Sequence, residues 1–536
     1  MSLSRLTERA GTPPAVVWLA GALLGVGAFL FSLATLSLLN DHFGRISPAR
    51  QIAVYGELPF RDFLDPGYFL TELSSAALQR LLGDNLLGEA LLTSAFVAGG
   101  TVLVFLLARR LSRSVPMALA AAVVALLLLP RAYDYDKVLF YPLGILLCWR
   151  YVEKGTAASV WVLSAGLVAG ALYRYDTGVY IAGAAVVAMA VVHAGEWKVL
   201  GRRLVLFGTA VAILLLPILA FLHYHGGVGD AVDQMVTYAR RETARTSLSQ
   251  AGFIVNADAF LYYLFRILPL AAAVALSLKL RSPDSLSRAE LARLSSLIAV
   301  CLALNLFILR DPIGARFGGM AGPVAILSAW IGSCAWQVRP VVARRAVRAA
   351  VLMVLAATVW SVSLSADWQH RLTPALARPA HLVGVIRVFA ATPPSLDAVA
   401  NRQLMGMVKY VRECTSPEDR IMITWFAPEL YFFAQRGFAG GMVAVFGDHW
   451  SEERFQVRSL RALAAQRVPL VILRTGDQRF LEIYPLLASY LSERYRRAGT
   501  TDFGDTDIGK DGYTVLVRRD LVPTYAHAAT SLPCFW

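Results

Sequence analysis

The chain is punctuated by apolar runs of membrane-crossing length, and no other feature restricts its possible folds as much. Runs at 16–39, 90–108 and 204–222 approach or reach the roughly 20 residues needed to span a hydrocarbon core, and each is closed by polar or charged residues. Shorter runs fill the intervals, giving apolar segments at 16–39, 89–108, 115–130, 138–151, 157–173, 178–194, 204–222, 259–278, 293–309, 318–337 and 346–364. The pattern predicts a polytopic α-helical membrane protein of about eleven transmembrane helices. The segments at 138–151 and 157–173 are short for full spans and suit a tilted or partly interfacial pair. Composition agrees: 57% of the 536 residues are apolar and 16% are charged. That is about two-thirds of the usual charged fraction of a soluble domain, so the bulk of the chain needs lipid as its solvent.

The net charge of +14 does not imply nucleic acid, because the basic residues form no single stripe with interleaved aromatics. They gather in alternate short loops instead: Arg109, Arg110 and Arg113; Arg150 and Lys154; Lys198, Arg202 and Arg203; Lys279 and Arg281; Arg339, Arg344, Arg345 and Arg348. This is the positive-inside pattern, which predicts a cytoplasmic N-terminus and, with an odd helix number, an extracytoplasmic C-terminal segment. The first apolar run lacks a short h-region and a small-residue cleavage site, which predicts a retained helix. The absence of N-x-S/T sequons fits a bacterial inner membrane with a periplasmic outer side.

From about Asp367 polar residues rise and short apolar strands alternate with amphipathic stretches. Strands are expected at 420–424, 441–446, 470–474 and 513–517, with helices at 452–466 and 479–494, a pattern that favours a small α/β layer domain. The expected organisation is thus a transmembrane domain over 1–366, with a long outer loop at 40–88, and a soluble extracytoplasmic α/β domain over 367–536. Cys148, Cys301 and Cys334 read as small core residues; for Cys414 and Cys534 spacing decides neither pairing nor freedom.

The charged residues without an obvious structural purpose lie on the outer side. Asn40-Asp41-His42-Phe43-Gly44-Arg45 follows the first run, and Gly56-Glu57-Leu58-Pro59-Phe60-Arg61-Asp62-Phe63-Leu64-Asp65-Pro66-Gly67 lies in the loop beyond it. An acidic residue directly after the first helix, followed by a G-x-x-P-[FY]-R-D-F segment, resembles the GT-C glycosyltransferases of the protein-mannosyltransferase and aminoarabinose-transferase type. The resemblance covers the membrane region in order and topology, and the C-terminal outer domain matches the general plan. It implies a GT-C-like membrane fold and makes Asp41 the expected catalytic base, a carboxylate that takes the proton of an acceptor hydroxyl as it attacks a lipid-held sugar. Where the family pattern has Asp-Glu, this chain has Asp41-His42. The alternative for Asp41 is a cap on a juxtamembrane helix beginning near Ile46 or Ser47.

Asp62 and Asp65 read first as loop-forming, with Arg61 as an ion-pair partner and Asp65-Pro66-Gly67 as a turn. In the next outer loop, Asp134 and Asp136 stand at i and i+2. In extended chain they share a side and could hold a divalent cation such as Mg²⁺ or Mn²⁺ against a leaving phosphate; the resemblance also implies an acidic pair here. The competing reading is an interfacial tyrosine belt with Asp136 paired to Lys137.

Arg174 either neutralises Asp176 or meets a lipid phosphate. Arg241 and Arg245 share a helix face at i and i+4, as a phosphate site or as a solvated face compensated by Glu242. Arg266 is the charged residue that falls well inside an expected span, about 10 Å below its outer boundary at roughly 1.5 Å per residue, and Arg316 is a similar candidate outside another span. His223 and His225 flank Tyr224 without a third metal ligand in sequence. Together these residues predict transfer of a sugar from a polyprenyl-phosphate donor to a glycan, lipid or protein acceptor at the outer face. The alternative is a non-catalytic transporter of lipid-linked sugar or solute. Transporters place ionisable groups near the midplane and show repeated halves, whereas these spans are nearly free of charge and no repeat is visible.

Overall fold

The computed structural model describes residues 13–38, 40–247, 259–281, 286–310, 317–336, 341–363, 381–393, 395–396, 404–445, 447–504 and 512–536. Each apolar segment expected from the sequence is a helix. They are α1 (Pro14–Thr35), α4 (Leu87–Ser112), α5 (Val115–Leu127), α6 (Tyr135–Lys154), α7 (Ala157–Tyr173), α8 (Tyr175–Val192), α9 (Trp197–His225), α11 (Ala259–Leu280), α12 (Arg288–Arg310), α13 (Phe317–Trp336) and α14 (Val341–Ser363). Among the described residues, seven helices are long and apolar enough to cross a membrane unaided, namely α1, α4, α8, α9, α11, α12 and α13. The helices α5 and α7 are apolar but shorter. The remaining helices of the first half are α2 (Asn40–Tyr55), α3 (Phe69–Leu82) and α10 (Val228–Ser247).

The chain forms two compact units of interleaved segments: 1–37, 91–217 and 247–383 in the first, and 38–90, 218–246 and 384–536 in the second. Local chemistry sets the helix ends of the first unit. Ser114 accepts a hydrogen bond from the Met117 amide at the start of α5, Thr156 accepts one from Ser159 at the start of α7, and α6 ends on Gly155 in the left-handed region. Buried Phe105, Phe140, Trp149, Leu163, Ile181, Leu297, Phe317 and Leu327 belong to its continuous apolar core. Close crossings depend on glycine: a Cβ on Gly100 of α4 would collide with the Val138 carbonyl of α6. The basic loop residues are partly neutralised by local acids, Glu153 pairing with Arg110 and, at 3.1 Å, with Arg293.

The second unit holds α2, α3, α10 and the C-terminal α/β fold. The latter comprises α16 (Leu404–Cys414), β1 (Arg420–Ile423), α17 (Glu429–Ala434), β2 (Gly437–Phe438), α18 (Glu453–Ala465), β3 (Leu470–Arg474), α19 (Gln478–Ile483), α20 (Pro485–Arg494), β4 (Tyr495–Thr501) and β5 (Tyr513–Arg518). The helix α15 (His381–Ala391) precedes it, and β6 (Tyr525–Ala526) and β7 (Pro533–Cys534) close it as a hairpin.

The strand order is β2-β1-β3-β5-β4, with β1 parallel to β2 and β3, and β5 antiparallel to β3 and β4. Three expected strands are present. The strand expected at 441–446 is absent among the described residues: the chain pairs one step earlier as β2, and Gly440 and Gly441 then turn it away at positive φ. The helix expected at 479–494 is broken at Tyr484 ahead of Pro485. Arg436 is buried and donates to the carbonyls of Arg412 and Thr415, closing the C-terminus of α16. Cys414 at that end is disulfide-bonded to Cys534 of β7.

Candidate functional site

The helix α2 begins at Asn40, one residue before Asp41, whose amide donates to the Asn40 side chain at 2.8 Å. The alternative of a helix starting near Ile46 therefore does not hold. Asp41 stands exposed in the first turn, while His42, Phe43 and Arg45 on the same helix are buried. The His42 imidazole is 2.6 Å from the carboxylate of Glu89 at the start of α4. The Arg45 guanidinium lies 4.3 Å from the centre of the Tyr68 ring and is held among acids, its charge acting on Asp65, Glu72 and Glu89.

Asp65 accepts from the amides of Gly67 (2.7 Å) and Tyr68 (2.9 Å), and its own amide donates to Gln234. It is thus the turn residue that the sequence suggests, yet it is fully buried. Burial pushes its carboxyl up to about 6 against those two amides and Arg45. Glu72, equally buried on α3, is raised well above the ordinary range by burial and then by the Asp65 charge. Asp62 accepts from the Leu58 amide (2.7 Å) and pairs with Arg61, so it shapes the loop. The second unit thereby places one exposed carboxylate directly before a buried assembly of acids, an arginine and a histidine.

In the first unit, the segment carrying Asp134 and Asp136 is helical: a 3₁₀ turn at Ala132–Asp134 runs into α6. The expectation that the two carboxylates share a side rested on extended chain and is overturned, since residues two apart on a helix diverge. Lys137 sits 2.6 Å from Asp134, and Arg174 lies 3.7 Å from the same oxygen and 2.8 Å from Asp176. Gly319 of α13 backs this group closely, with room of only 3.1 Å between a Cβ there and Asp134. These residues do not fit a Mg²⁺ or Mn²⁺ site: an ammonium group already occupies the Asp134 carboxylate. No trio of His, Cys, Asp or Glu suited to a metal occurs among the described residues, and the histidines at 223 and 225 gain no third ligand there.

Arg241 binds Asp448 and Glu452, each at 2.8 Å, and thus ties α10 to the C-terminal fold through carboxylates. Arg245 follows on α10, but its side chain lies outside the described residues, as does Arg316 entirely. Arg266 is half-buried on α11 and donates to the Tyr262 hydroxyl at 2.8 Å. Sequence reasoning missed Arg45, Glu72, Glu89 and Lys137. Glu72 interrupts the buried face of an amphipathic helix, a signal available in the sequence; the pairing of Lys137 needed the fold.

This fold is similar to that of ArnT from Cupriavidus metallidurans, solved bound to undecaprenyl phosphate: 14% identity, a TM-score of 0.50, and coverage of 94% of this chain and 98% of that one. The Archaeoglobus fulgidus oligosaccharyltransferase, solved with zinc and sulfate, aligns at 14% identity with a TM-score of 0.43, over 89% of this chain and 71% of that one. No family model and no curated protein matches the sequence. The fold is thus that of a polytopic helical membrane protein with a C-terminal α/β domain, similar to that of ArnT.

Proposed function

We propose that the protein is a glycosyltransferase that takes a sugar from a polyprenyl-phosphate lipid and passes it to an acceptor at the outer face of the membrane. The observation that carries this reading is Asp41, an exposed carboxylate at the start of α2 set directly before a buried, charge-compensated polar assembly, in a chain whose fold is that of a transferase solved with undecaprenyl phosphate. In this reading Asp41 accepts the acceptor's hydroxyl proton while the oxygen bonds to the anomeric carbon. The bond to phosphate breaks, leaving the lipid phosphate and an inverted sugar linkage.

An apolar cavity of about 470 Å³ in the first unit, lined by Met117, Val124, Leu128, Phe265, Val324 and Leu355 among others, suits an isoprenoid chain. Arg174 and Arg266 are the described arginines of that unit from which phosphate contacts are drawn, with Lys137 beside Arg174. Arg241 is already engaged by two carboxylates, and we assign it a structural part. No step is routed through a metal at Asp134 and Asp136.

The membrane placement follows the charge pattern: N-terminus in the cytoplasm and the α/β domain outside, which the Cys414–Cys534 disulfide supports because such bonds persist in oxidising compartments. The test incubates purified full-length protein with radiolabelled polyprenyl-phosphate sugars and a membrane extract, comparing wild type with Asp41→Asn. Transfer that falls by about 100-fold or more is expected for the variant, the scale of general-base catalysis. Equal transfer by both proteins defeats the assignment of the base, and consumption of no such lipid by the wild type defeats the reading.

A further inference from the structure

The end of α4 that the basic loops place in the cytoplasm carries a charge that the surrounding protein does not balance. Arg109, in the last turn of that helix, is 4% exposed, and its Nε and Nη2 are enclosed without a hydrogen-bond partner among the described residues.

The nearby acids are already committed. Gly100 of α4 faces Val138 of α6, and further along the same two helices the Arg110 guanidinium lies 5.6 Å from the centre of the Trp149 ring. There Glu153 of α6 is shared between Arg110 and, at 3.1 Å, Arg293 of α12. Glu290 of α12 lies 3.5 Å from Arg113 and accepts from the amide and the hydroxyl of Ser287. With Arg109 included, four arginines at this end of the first unit meet two glutamates. Arg150, one turn before Glu153 on α6, also has its Nε enclosed without a partner among the described residues.

Two ordinary explanations are too weak for Arg109. Snorkelling needs a head group that reaches water, whereas protein encloses this one. The carbonyls at the end of α4 favour a cation, but by much less than it costs to enclose an unpaired guanidinium. An anion offsets that cost, and the guanidinium fork suits phosphate oxygens. The depth of the site indicates the source. Arg109 lies at the end of a membrane span, level with the phosphates of the inner leaflet, where basic pockets between helices receive anionic head groups.

We propose that the cytoplasmic end of α4 is a binding site for the phosphate of an anionic phospholipid, with Arg109 as its ligand. The site is on the face opposite to the one used in the transfer reading, and it stands whether or not the protein transfers sugar.

Native mass spectrometry of the detergent-purified full-length protein, titrated with phosphatidylglycerol or phosphatidylcholine, measures the tightest lipid equivalent in wild type, Arg109→Gln and Arg113→Gln. Phosphatidylglycerol should bind wild type about tenfold or more tighter than Arg109→Gln, the scale of charge-assisted hydrogen bonds. Arg113→Gln removes the same charge from a side chain that is 66% exposed, and it should bind as wild type does. Losses of equal size in the two variants would reduce the effect to surface charge and overturn the site. So would phosphatidylcholine binding wild type as tightly as phosphatidylglycerol.

Thermal unfolding separates binding from folding. Without added lipid, Arg109→Gln should melt no lower than wild type, because it removes an enclosed charge; with phosphatidylglycerol, wild type should rise and the variant should not. A variant that melts lower in the absence of lipid would show that protein groups satisfy Arg109, and the proposal would fall. Stabilisation by inorganic phosphate alone, equal in size and equally dependent on Arg109, would overturn the lipid source.

Discussion

Asp65 shows how a turn residue becomes a pH sensor. It caps the Gly67 and Tyr68 amides, and asparagine can accept the same two bonds, so Asp65→Asn isolates the charge. Its carboxyl sits at about 6 in the folded protein against an ordinary 3.8. Between these values the folded state binds more protons than the unfolded state, so stability falls as pH rises: the full contribution exists below about 4 and is lost on passing through 6. Asp65→Asn should therefore melt higher than wild type at pH 8 and together with it below pH 4, measured by thermal unfolding in detergent. A gain of the same size at both pH values would show that the effect is not the charge. Neutralising Asp65 also removes the like charge that acts on Glu72, so the gain reports two acids, not one.

At the scale of elements, the sequence made the helices legible because an apolar run of span length has few other solutions, and α6 to α8 and α11 to α14 lie where the periodicity places them. Strands β1, β3 and β5 were legible for a related reason: their inward positions are apolar, as the alternating burial of β5 shows. The edge strand β4, Tyr495-Arg496-Arg497-Ala498-Gly499-Thr500-Thr501, was not, because its polarity and its irregular register at Arg497 and Gly499 carry no strand period. The site was legible only in part. Asp41 could be found from its place after a span, whereas Glu89 and Pro428 meet α2 through pairings 47 and 381 positions apart that no local pattern encodes. The crossing of α4 and α6 gives an element-scale prediction. Gly100→Ala puts a methyl group into the Val138 carbonyl, so one helix must shift, and a loss of about 1–3 kcal/mol is expected from overpacking. Measured as a lower melting temperature in detergent, this loss should be absent from Gly183→Ala, where a Cβ meets open space.

For the molecule as a whole, the question is whether its apolar cavity and its sidedness serve the same reaction. The cavity is bounded by side chains of α5, α11, α13 and α14, and hydrocarbon is the ligand such walls favour. Ala325→Trp fills it with a large ring while leaving Asp41 untouched. If an isoprenoid chain lies there, the variant should raise KM for a long-chain polyprenyl-phosphate sugar by about tenfold or more, since each buried methylene is worth ~0.8 kcal/mol, and should change little for a donor too short to enter. Equal losses for both donors would place the chain elsewhere. Sidedness is read separately, from a cysteine placed at the exposed Val522 of the α/β domain, because Cys414 and Cys534 are buried as well as bridged. In intact cells of a bacterial host, a membrane-impermeant maleimide should label Val522→Cys and neither Cys414 nor Cys534. Cys148 and Cys301, buried in the apolar core of the first unit, should stay unlabelled throughout. Labelling of Cys414 or Cys534 in the folded protein would break the disulfide assignment. Labelling that appears only after the membrane is opened would put the α/β domain in the cytoplasm and reverse the orientation that the basic loops predict.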